Sequence, residues 1–248
     1  ACALAGSATA QRAAVPDAPP LKLSSVAERV YSDARPRLLQ IRTLLAAAGR
    51  QSSIGSGFLV SASGLAVTNY HVVSQYALEP ATYRLEYAAA DGGRGTLQLL
   101  AFDVANDVAV VKMDRPARTF FQFDPRALRG YPAKGERLYS MGNPLDLGFT
   151  IVEGTYNGTV ERSYNERIHF SGALNPGMSG GPAVSTASRI VGVNVAKRLD
   201  GELVSFLVPA RFAAELVARA ADAEPLAPDA IRAEIGRQLA TWQEGLYA

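Results

Sequence analysis

Ser179 is the residue of this 248-residue chain whose surroundings most clearly indicate chemistry. It lies in ALNPGMSGGPAV (173–184), with glycines at 177, 180 and 181. Each glycine adds conformational entropy to the unfolded chain, so their clustering indicates a sharp turn or a close approach to the backbone. A serine hydroxyl becomes a useful nucleophile only beside a base that a third group orients. Acyl transfer is therefore the chemistry to look for.

The base has two candidates, because the chain contains two histidines. His71, in TNYHVV, follows an apolar run and begins a short segment, a position from which a side chain can reach into a cleft. His169 lies inside an apolar run, which is typical of a structural histidine in a strand, so it is the weaker candidate for the base. Asp107 opens the run DVAVVKM and is the predicted orienting carboxylate, while its rival Asp103 is more typical of a turn residue.

Short apolar runs separated by Gly, Asp and Asn must position these residues, and they read as two series of strands. The predicted strands are 37–45, 55–61, 65–70, 82–88, 96–102 and 107–113, then 137–142, 149–163, 167–173, 189–198 and 203–210. Many short strands at close spacing favour closed barrels or a sandwich over a fold that alternates strands and helices. The sequence therefore predicts an all-β protein.

Helical patterns occur near both ends, at 24–34, 211–220 and 229–247. The last pattern places five apolar residues on one face, which predicts packing against the strands. These are Ile231, Ile235, Leu239, Trp242 and Leu246. A homo-oligomer contact, a partner or the start of a downstream domain is the alternative use of this face.

Composition excludes several classes of function. With 25 basic and 23 acidic residues and no basic stripe, the chain is not expected to bind nucleic acid. No apolar run approaches the roughly 18 residues of a spanning helix, so we expect a soluble globular protein. The single cysteine, Cys2, cannot form an internal disulfide, and cysteine pairs for a metal site are absent from the sequence. We expect neither a metal nor a cofactor.

Residues 1–22 are predicted to be an export-signal remnant or a lipoprotein-type linker. Residues 8–10 have the A-x-A form that signal peptidase cleaves. Alternatively Cys2 ends a lipoprotein processing box and carries a lipid anchor, or the segment is simply a trimmed terminus. The Pro- and Ala-rich stretch 13–24 would then tether a domain away from its anchor or cleavage site.

Four motifs occur in order: SGFLVSASGLAVTNYHVV, DVANDVAVVKM, MGNPLDLGFTIVEG and ALNPGMSGGPAV. Together they resemble the protease domain of the HtrA/Deg family of chymotrypsin-fold serine proteases, over about residues 24–220. The order His71, Asp107, Ser179 is that of chymotrypsin-type triads. The resemblance implies two perpendicular six-stranded antiparallel β-barrels with this triad between them, a protease domain at 23–222 and a C-terminal helical extension at 223–248.

The resemblance also assigns the parts of a substrate cleft. The backbone N–H groups of Gly177 and Ser179 form the oxyanion hole. Ala173 forms the floor of the primary pocket, and the strand with Ser205, Phe206 and Leu207 forms one wall. None of these residues carries a charge, so we expect small or medium aliphatic residues before the scissile bond, in polypeptide substrates.

This sequence departs from the family pattern in several places. Met178 stands where the family usually has Asn, Tyr70 where it has a smaller residue, and Ser171 where Asp is common. The connection between Ser163 and Arg167 is shorter than the family's sensor loop, and the residues after 220 are too few for a PDZ domain. We therefore predict either an enzyme that does not use a PDZ relay or a chain cut before its next domain.

Two rival functions accompany the expected envelope quality-control or processing endopeptidase. One is a latent or inactive protease fold that binds extended polypeptides as an added strand, without turnover. The other is an esterase, but a Gly-x-Ser-x-Gly elbow should lead from a strand into a helix. In GMSGG, strands are predicted to follow instead, which argues against an esterase.

Overall fold

Short strands with one apolar face close this chain into two antiparallel barrels. The computed structural model describes residues 24–160, 165–195 and 205–247. The first barrel contains β1 (Leu38–Leu45), β2 (Gln51–Leu59), β3 (Leu65–Thr68), β4 (Tyr83–Ala89), β5 (Arg94–Asp103) and β6 (Val108–Met113). The second contains β7 (Arg137–Gly142), β8 (Thr150–Thr159), β9 (Ile168–Phe170), β10 (Pro182–Val184), β11 (Ile190–Val195) and β12 (Ser205–Pro209).

Hydrogen-bonded neighbours run β1-β2-β3-β6-β5-β4 in the N-terminal barrel and β10-β11-β12-β9-β8-β7 in the C-terminal barrel, and both rings close. Closure removes the unpaired edges of an open sheet. The all-β prediction of two closed six-stranded barrels is thus confirmed. The predicted strand 149–163 ends at Thr159, and β10, with three residues, was not predicted as a separate strand.

Five α-helices lie around the barrels in the described part of the chain: α1 (Ser25–Ala34), α2 (Tyr70–Leu78), α3 (Pro125–Arg129), α4 (Ala210–Ala220) and α5 (Pro228–Tyr247). Two short 3-10 helices, Arg35–Arg37 and Pro144–Asp146, accompany them. Helix α1 begins where Ser24 accepts a hydrogen bond from the Ala27 N–H, at 3.1 Å, which is a side-chain N-cap. Helices α2 and α3 were not predicted. Within the described ranges, the helices are too short or too polar to cross a membrane.

Helix α5 packs on the N-terminal barrel through part of its predicted apolar face. Ile231 and Ile235 are buried in the core of that barrel. Leu239 and Trp242 remain about 40% exposed, so the predicted stripe is only half covered. The side chain of Leu246 lies outside the described residues, as do Cys2 with segment 1–22, and positions 161–164 of the predicted short loop.

Candidate active site

His71 and Asp107 are brought into direct contact by the N-terminal barrel. His71 lies in the first turn of α2, immediately after β3, and Asp107 lies immediately before β6. One Asp107 oxygen, Oδ2, is 2.8 Å from His71 Nδ1. The other, Oδ1, accepts the backbone N–H of His71 at 2.9 Å. Because both oxygens are engaged, the carboxylate fixes the position of the ring as well as its orientation.

The backbone of Asp107 is unusual, with φ at +61°. Left-handed backbone is uncommon for a residue with a side chain, and it persists where surrounding contacts hold it. One such contact is the Asn69 side-chain N–H, which donates to the Asp107 carbonyl at 2.8 Å. Asp103 instead accepts two hydrogen bonds from Asn106, as a turn residue does. His169 lies in β9, opposite Phe206.

Ser179 comes from the C-terminal barrel, on the turn before β10, and is almost fully buried. Its carbonyl oxygen accepts the Ser56 N–H at 2.7 Å. A Cβ at Gly55 would lie 2.5 Å from a methyl carbon of Val72 and 3.1 Å from the Ser179 carbonyl oxygen. Val72 directly follows His71, so Gly55 lets the histidine helix and the serine turn approach each other.

The glycines around Ser179 are required by their conformation and by the space around them. Gly177 has φ +94° and Gly180 has φ +84°. A Cβ at Gly177 would lie 2.5 Å from the Asn143 carbonyl oxygen, and one at Gly180 would collide with Ser56 O and Thr68 Oγ1. Within the described residues the Gly177 N–H donates no hydrogen bond.

Ser56, in β2, links the two barrels at this point, a role that sequence reasoning missed. Its hydroxyl donates to the Gly177 carbonyl at 2.7 Å and accepts the Asn143 N–H at 2.9 Å. Ser56 is buried, so water does not compete for these two hydrogen bonds. The serine turn and the chain after β7 are therefore both held to the N-terminal barrel.

The residues predicted to form the primary pocket differ in their exposure. Ala173 is exposed and Phe206 is half-buried, so both are accessible to a ligand. Ser205 is buried, and its hydroxyl accepts the Leu174 N–H at 3.0 Å. Leu207 is completely buried in the core of the C-terminal barrel, because alternate residues of a strand face opposite sides. Its side chain cannot contact a substrate.

The three departures from the family pattern lie around the site. Met178 is completely buried and fills the core beneath the serine turn. Tyr70 stacks on Phe102, with ring centroids 5.3 Å apart. Burial, and secondarily the negative charge of Asp107, raise the pKa of Tyr70, so it stays a neutral phenol at neutral pH. Ser171 accepts the Thr155 N–H at 2.8 Å.

A tight turn at 143–148 packs directly against the serine turn. The Leu145 N–H donates to the Pro176 carbonyl at 3.0 Å. Leu145 and Asp146 both have positive φ, at +52° and +60°. The Asp146 carboxylate accepts from Gln40 Nε2 at 2.6 Å and from Arg42 Nη2 at 3.1 Å, both on β1. The N-terminal barrel thus fixes this strained turn from outside.

Asp146→Ala is expected to lower kcat on the order of tenfold with KM nearly unchanged, because the 143–148 turn that supports Gly177 loosens. The buried Gln40 amide also loses its acceptor, so the protein becomes less stable. Steady-state kinetics on a peptide substrate and thermal unfolding measure both effects. Asp33→Ala, which breaks an exposed pair with Arg37, is the matched control. Equal kcat values for the two variants would contradict this role of Asp146.

The chain matches one family model and several relatives that are named as serine proteases. Residues 55–193 match the family model described as a trypsin-like peptidase domain. Over 172 residues the chain is 33% identical to the putative serine protease HhoB of Synechocystis, covering 64% of this chain and 38% of that protein. Over 173 residues it is 31% identical to a probable periplasmic serine endoprotease, DegP-like, of Brucella suis, covering 66% and 32%.

Solved structures agree with the barrels. The HtrA-type protease AlgW with a tripeptide superimposes with a TM-score of 0.66 at 27% identity, over 77% of this chain and 62% of that one. A serine endoprotease from Yersinia pestis has the same fold, with a TM-score of 0.66 at 23% identity, over 80% and 68%. The chain spans between 32% and 40% of the length of the first curated relatives that it matches.

Proposed function

Since the chain belongs to the trypsin-like peptidase family, we propose that it is a serine endopeptidase of unfolded or partly unfolded proteins. The observation that carries the proposal is the pair of hydrogen bonds that the Asp107 carboxylate makes with the ring and the backbone N–H of His71, at 2.8 Å and 2.9 Å. Ser179, on its glycine turn, is the nucleophile that this pair would serve. HtrA-type relatives support it. No cofactor is needed, because base, nucleophile and oxyanion donors all come from the chain.

In the proposed reaction, Ser179 Oγ attacks the peptide carbonyl while His71 Nε2 removes its proton. Asp107 keeps the proton of the neutral imidazole on Nδ1 and stabilises the imidazolium that forms. His71 then protonates the leaving amine, and a water molecule, activated by the same base, hydrolyses the acyl-enzyme. The polypeptide leaves with a new carboxyl end.

Negative charge on the former carbonyl oxygen would be stabilised by the N–H groups of Gly177 and Ser179. Donors that are already in place need no reorganisation when the charge develops, and removing one typically costs on the order of a hundredfold or more in rate. The unbonded Gly177 N–H in the described structure supports this assignment.

The test is labelling of the purified protein with a fluorophosphonate probe, mapping of the labelled residue by mass spectrometry, and digestion of casein. Labelling at Ser179 together with casein cleavage is expected. A folded protein that binds casein but is neither labelled nor able to cleave would overturn the proposal. It would indicate the rival function, a latent protease fold that holds extended polypeptides.

Cleavage is expected after small or medium aliphatic residues such as Val, Ala or Leu. The accessible pocket residues, Ala173 and Phe206, carry no charge, so a Lys or Arg side chain would lose its hydration without gaining a partner. Sequencing the products of a peptide library measures this preference. Predominant cleavage after Arg would contradict it. Ala173→Asp should shift the preference toward basic residues, with Ala173→Ser as the control.

We place this activity in a bacterial cell envelope. The Brucella relative is named as periplasmic, and the A-x-A residues 8–10 agree with export. A lipid anchor on Cys2 is the alternative form of the same proposal. Polypeptides are the proposed partners, and a homo-oligomer or a downstream domain would be reached through α5.

A further inference from the structure

Helix α5 reaches the strand end that leads to Asp107 through one side chain, Gln238. Its Nε2 donates to the Phe102 carbonyl at 2.7 Å, and its Oε1 accepts the Val104 N–H at 2.8 Å. These two groups lie on either side of Asp103, where β5 ends. The amide therefore pairs with the backbone as a neighbouring strand would.

The Gln238 amide is fully committed in this position. Its second Nε2 hydrogen is directed to Glu234 Oε1 at 2.6 Å, one turn earlier on the helix. Hydrogen bonds from Arg237, and also from Gln238, hold the pKa of Glu234 below its usual range, so this acceptor is ionised at neutral pH. A side-chain amide has two donors and one acceptor oxygen, and each has a partner here. Such a side chain is fixed in one orientation.

The contact continues from Gln238 to Asp107 through the turn at 103–107. The Asp103 carboxylate accepts from both the backbone N–H and the side-chain N–H of Asn106, at 2.9 Å and 2.8 Å. Asn106 immediately precedes Asp107, whose left-handed backbone needs support from its neighbours. Fixing residues 102 and 104 thereby fixes the position from which the carboxylate reaches His71.

The helix itself is firmly attached behind this turn. Ile231 and Ile235 are buried in the N-terminal barrel, and the Leu226 N–H donates to the Leu99 carbonyl of β5 at 3.0 Å. The Phe102 ring, beside the Gln238 contact, stacks on Tyr70, which immediately precedes His71. Both members of the histidine–aspartate pair are thus supported from the α5 side of the barrel.

We propose that Gln238 is a positioning residue that holds Asp107 against His71, so that helix α5 supports the histidine–aspartate pair through this one side chain. The inference rests on the proposed endopeptidase function. Gln238 touches neither substrate nor the reacting atoms and acts through the 103–107 turn. The test must therefore separate an effect through Asp107 from a loss of fold.

The test compares Gln238→Met with Gln243→Met, an exposed glutamine on the same helix. Methionine has a similar length to glutamine but makes neither backbone hydrogen bond. We measure kcat and KM on a peptide substrate and the rate of fluorophosphonate labelling. Gln238→Met is expected to lower kcat and the labelling rate by roughly tenfold, as small displacements of catalytic groups do, with KM within about twofold of the wild type. Gln243→Met should change neither.

The same substitution is then made in an Asp107→Ala background, measured by prolonged labelling. In that background Gln238→Met should cause no further loss of labelling rate, since the Asp107 carboxylate that Gln238 positions is absent. An equal loss in both backgrounds, or an unchanged kcat in folded Gln238→Met, would overturn the inference. Gln238→Asn, which keeps the amide but is one methylene too short, replaces Gln238→Met if circular dichroism shows that variant unfolded. Wild type that is not labelled at all would instead refute the endopeptidase function.

Discussion

Replacing Ser179 with alanine is expected to abolish fluorophosphonate labelling and to lower kcat by about 10⁶-fold. No acyl-enzyme can form without the Ser179 Oγ, and removing the serine of a triad costs about as much as removing all three members. The remaining rate, about 10³–10⁴ above that of water, would come from the oxyanion donors and from substrate binding. Labelling and peptide hydrolysis, each compared with wild type, measure the loss.

The Ser179→Ala protein should fold normally. The serine turn is held by its backbone, through the Ser179 carbonyl and the Ser56 N–H, which alanine leaves unchanged. Urea unfolding should therefore give a free energy of unfolding within about 1 kcal/mol of wild type. Ser32→Ala, at an exposed position of α1, is the control for serine removal. Labelling that persists in Ser179→Ala would identify another nucleophile and contradict the proposed mechanism.

Gly180→Ala is expected to have the largest effect on stability, lowering the free energy of unfolding by about 2–5 kcal/mol. Left-handed backbone at φ +84° costs a residue with a side chain about 1–2 kcal/mol. The new methyl group would also collide with Ser56 O and Thr68 Oγ1, and overpacking of this kind costs about 1–3 kcal/mol more. Urea unfolding measures the sum, and activity should fall with it because Ser179 is displaced.

Gly92→Ala separates the two contributions. Gly92 has nearly the same φ, at +88°, but a Cβ there would meet nothing within 4 Å. This control should therefore lose only the backbone cost of about 1–2 kcal/mol and keep full activity. If both alanine variants were equally stable, the contacts around Gly180 would not be the reason for a glycine at that position.

The sequence identifies the candidate reacting groups more readily than the side chains that position them. His71, Asp107 and Ser179 could be proposed because nucleophile, base and carboxylate are chemically distinctive and only two histidines had to be considered. Gln238 and Asp146 have no such local mark. Glutamine and aspartate are ordinary surface residues, and their importance depends on partners more than a hundred positions away in the chain.

The fold, like the site, was predicted in its main elements but not in its short ones. Short apolar runs bounded by turn residues identified most strands, but β10 has three residues and directly follows the glycine turn, so no separate run marks it. The segment that forms α2 is apolar and β-branched at Val72 and Val73, so periodicity does not separate helix from strand there. Residues 205–207 were assigned to the cleft by resemblance alone, and alternation along the strand leaves Phe206 as the one of the three with an accessible side chain.

Ser56 has a consequence for the order in which the site is assembled. His71 and Asp107 belong to the first barrel to be synthesised, Ser179 to the second, and Ser56 bonds the two together at the serine turn. A half-made chain therefore holds a base without a nucleophile. The proposed triad can therefore form only after both barrels have been synthesised and have docked, so a chain that ends before the second barrel cannot cleave peptide bonds through it.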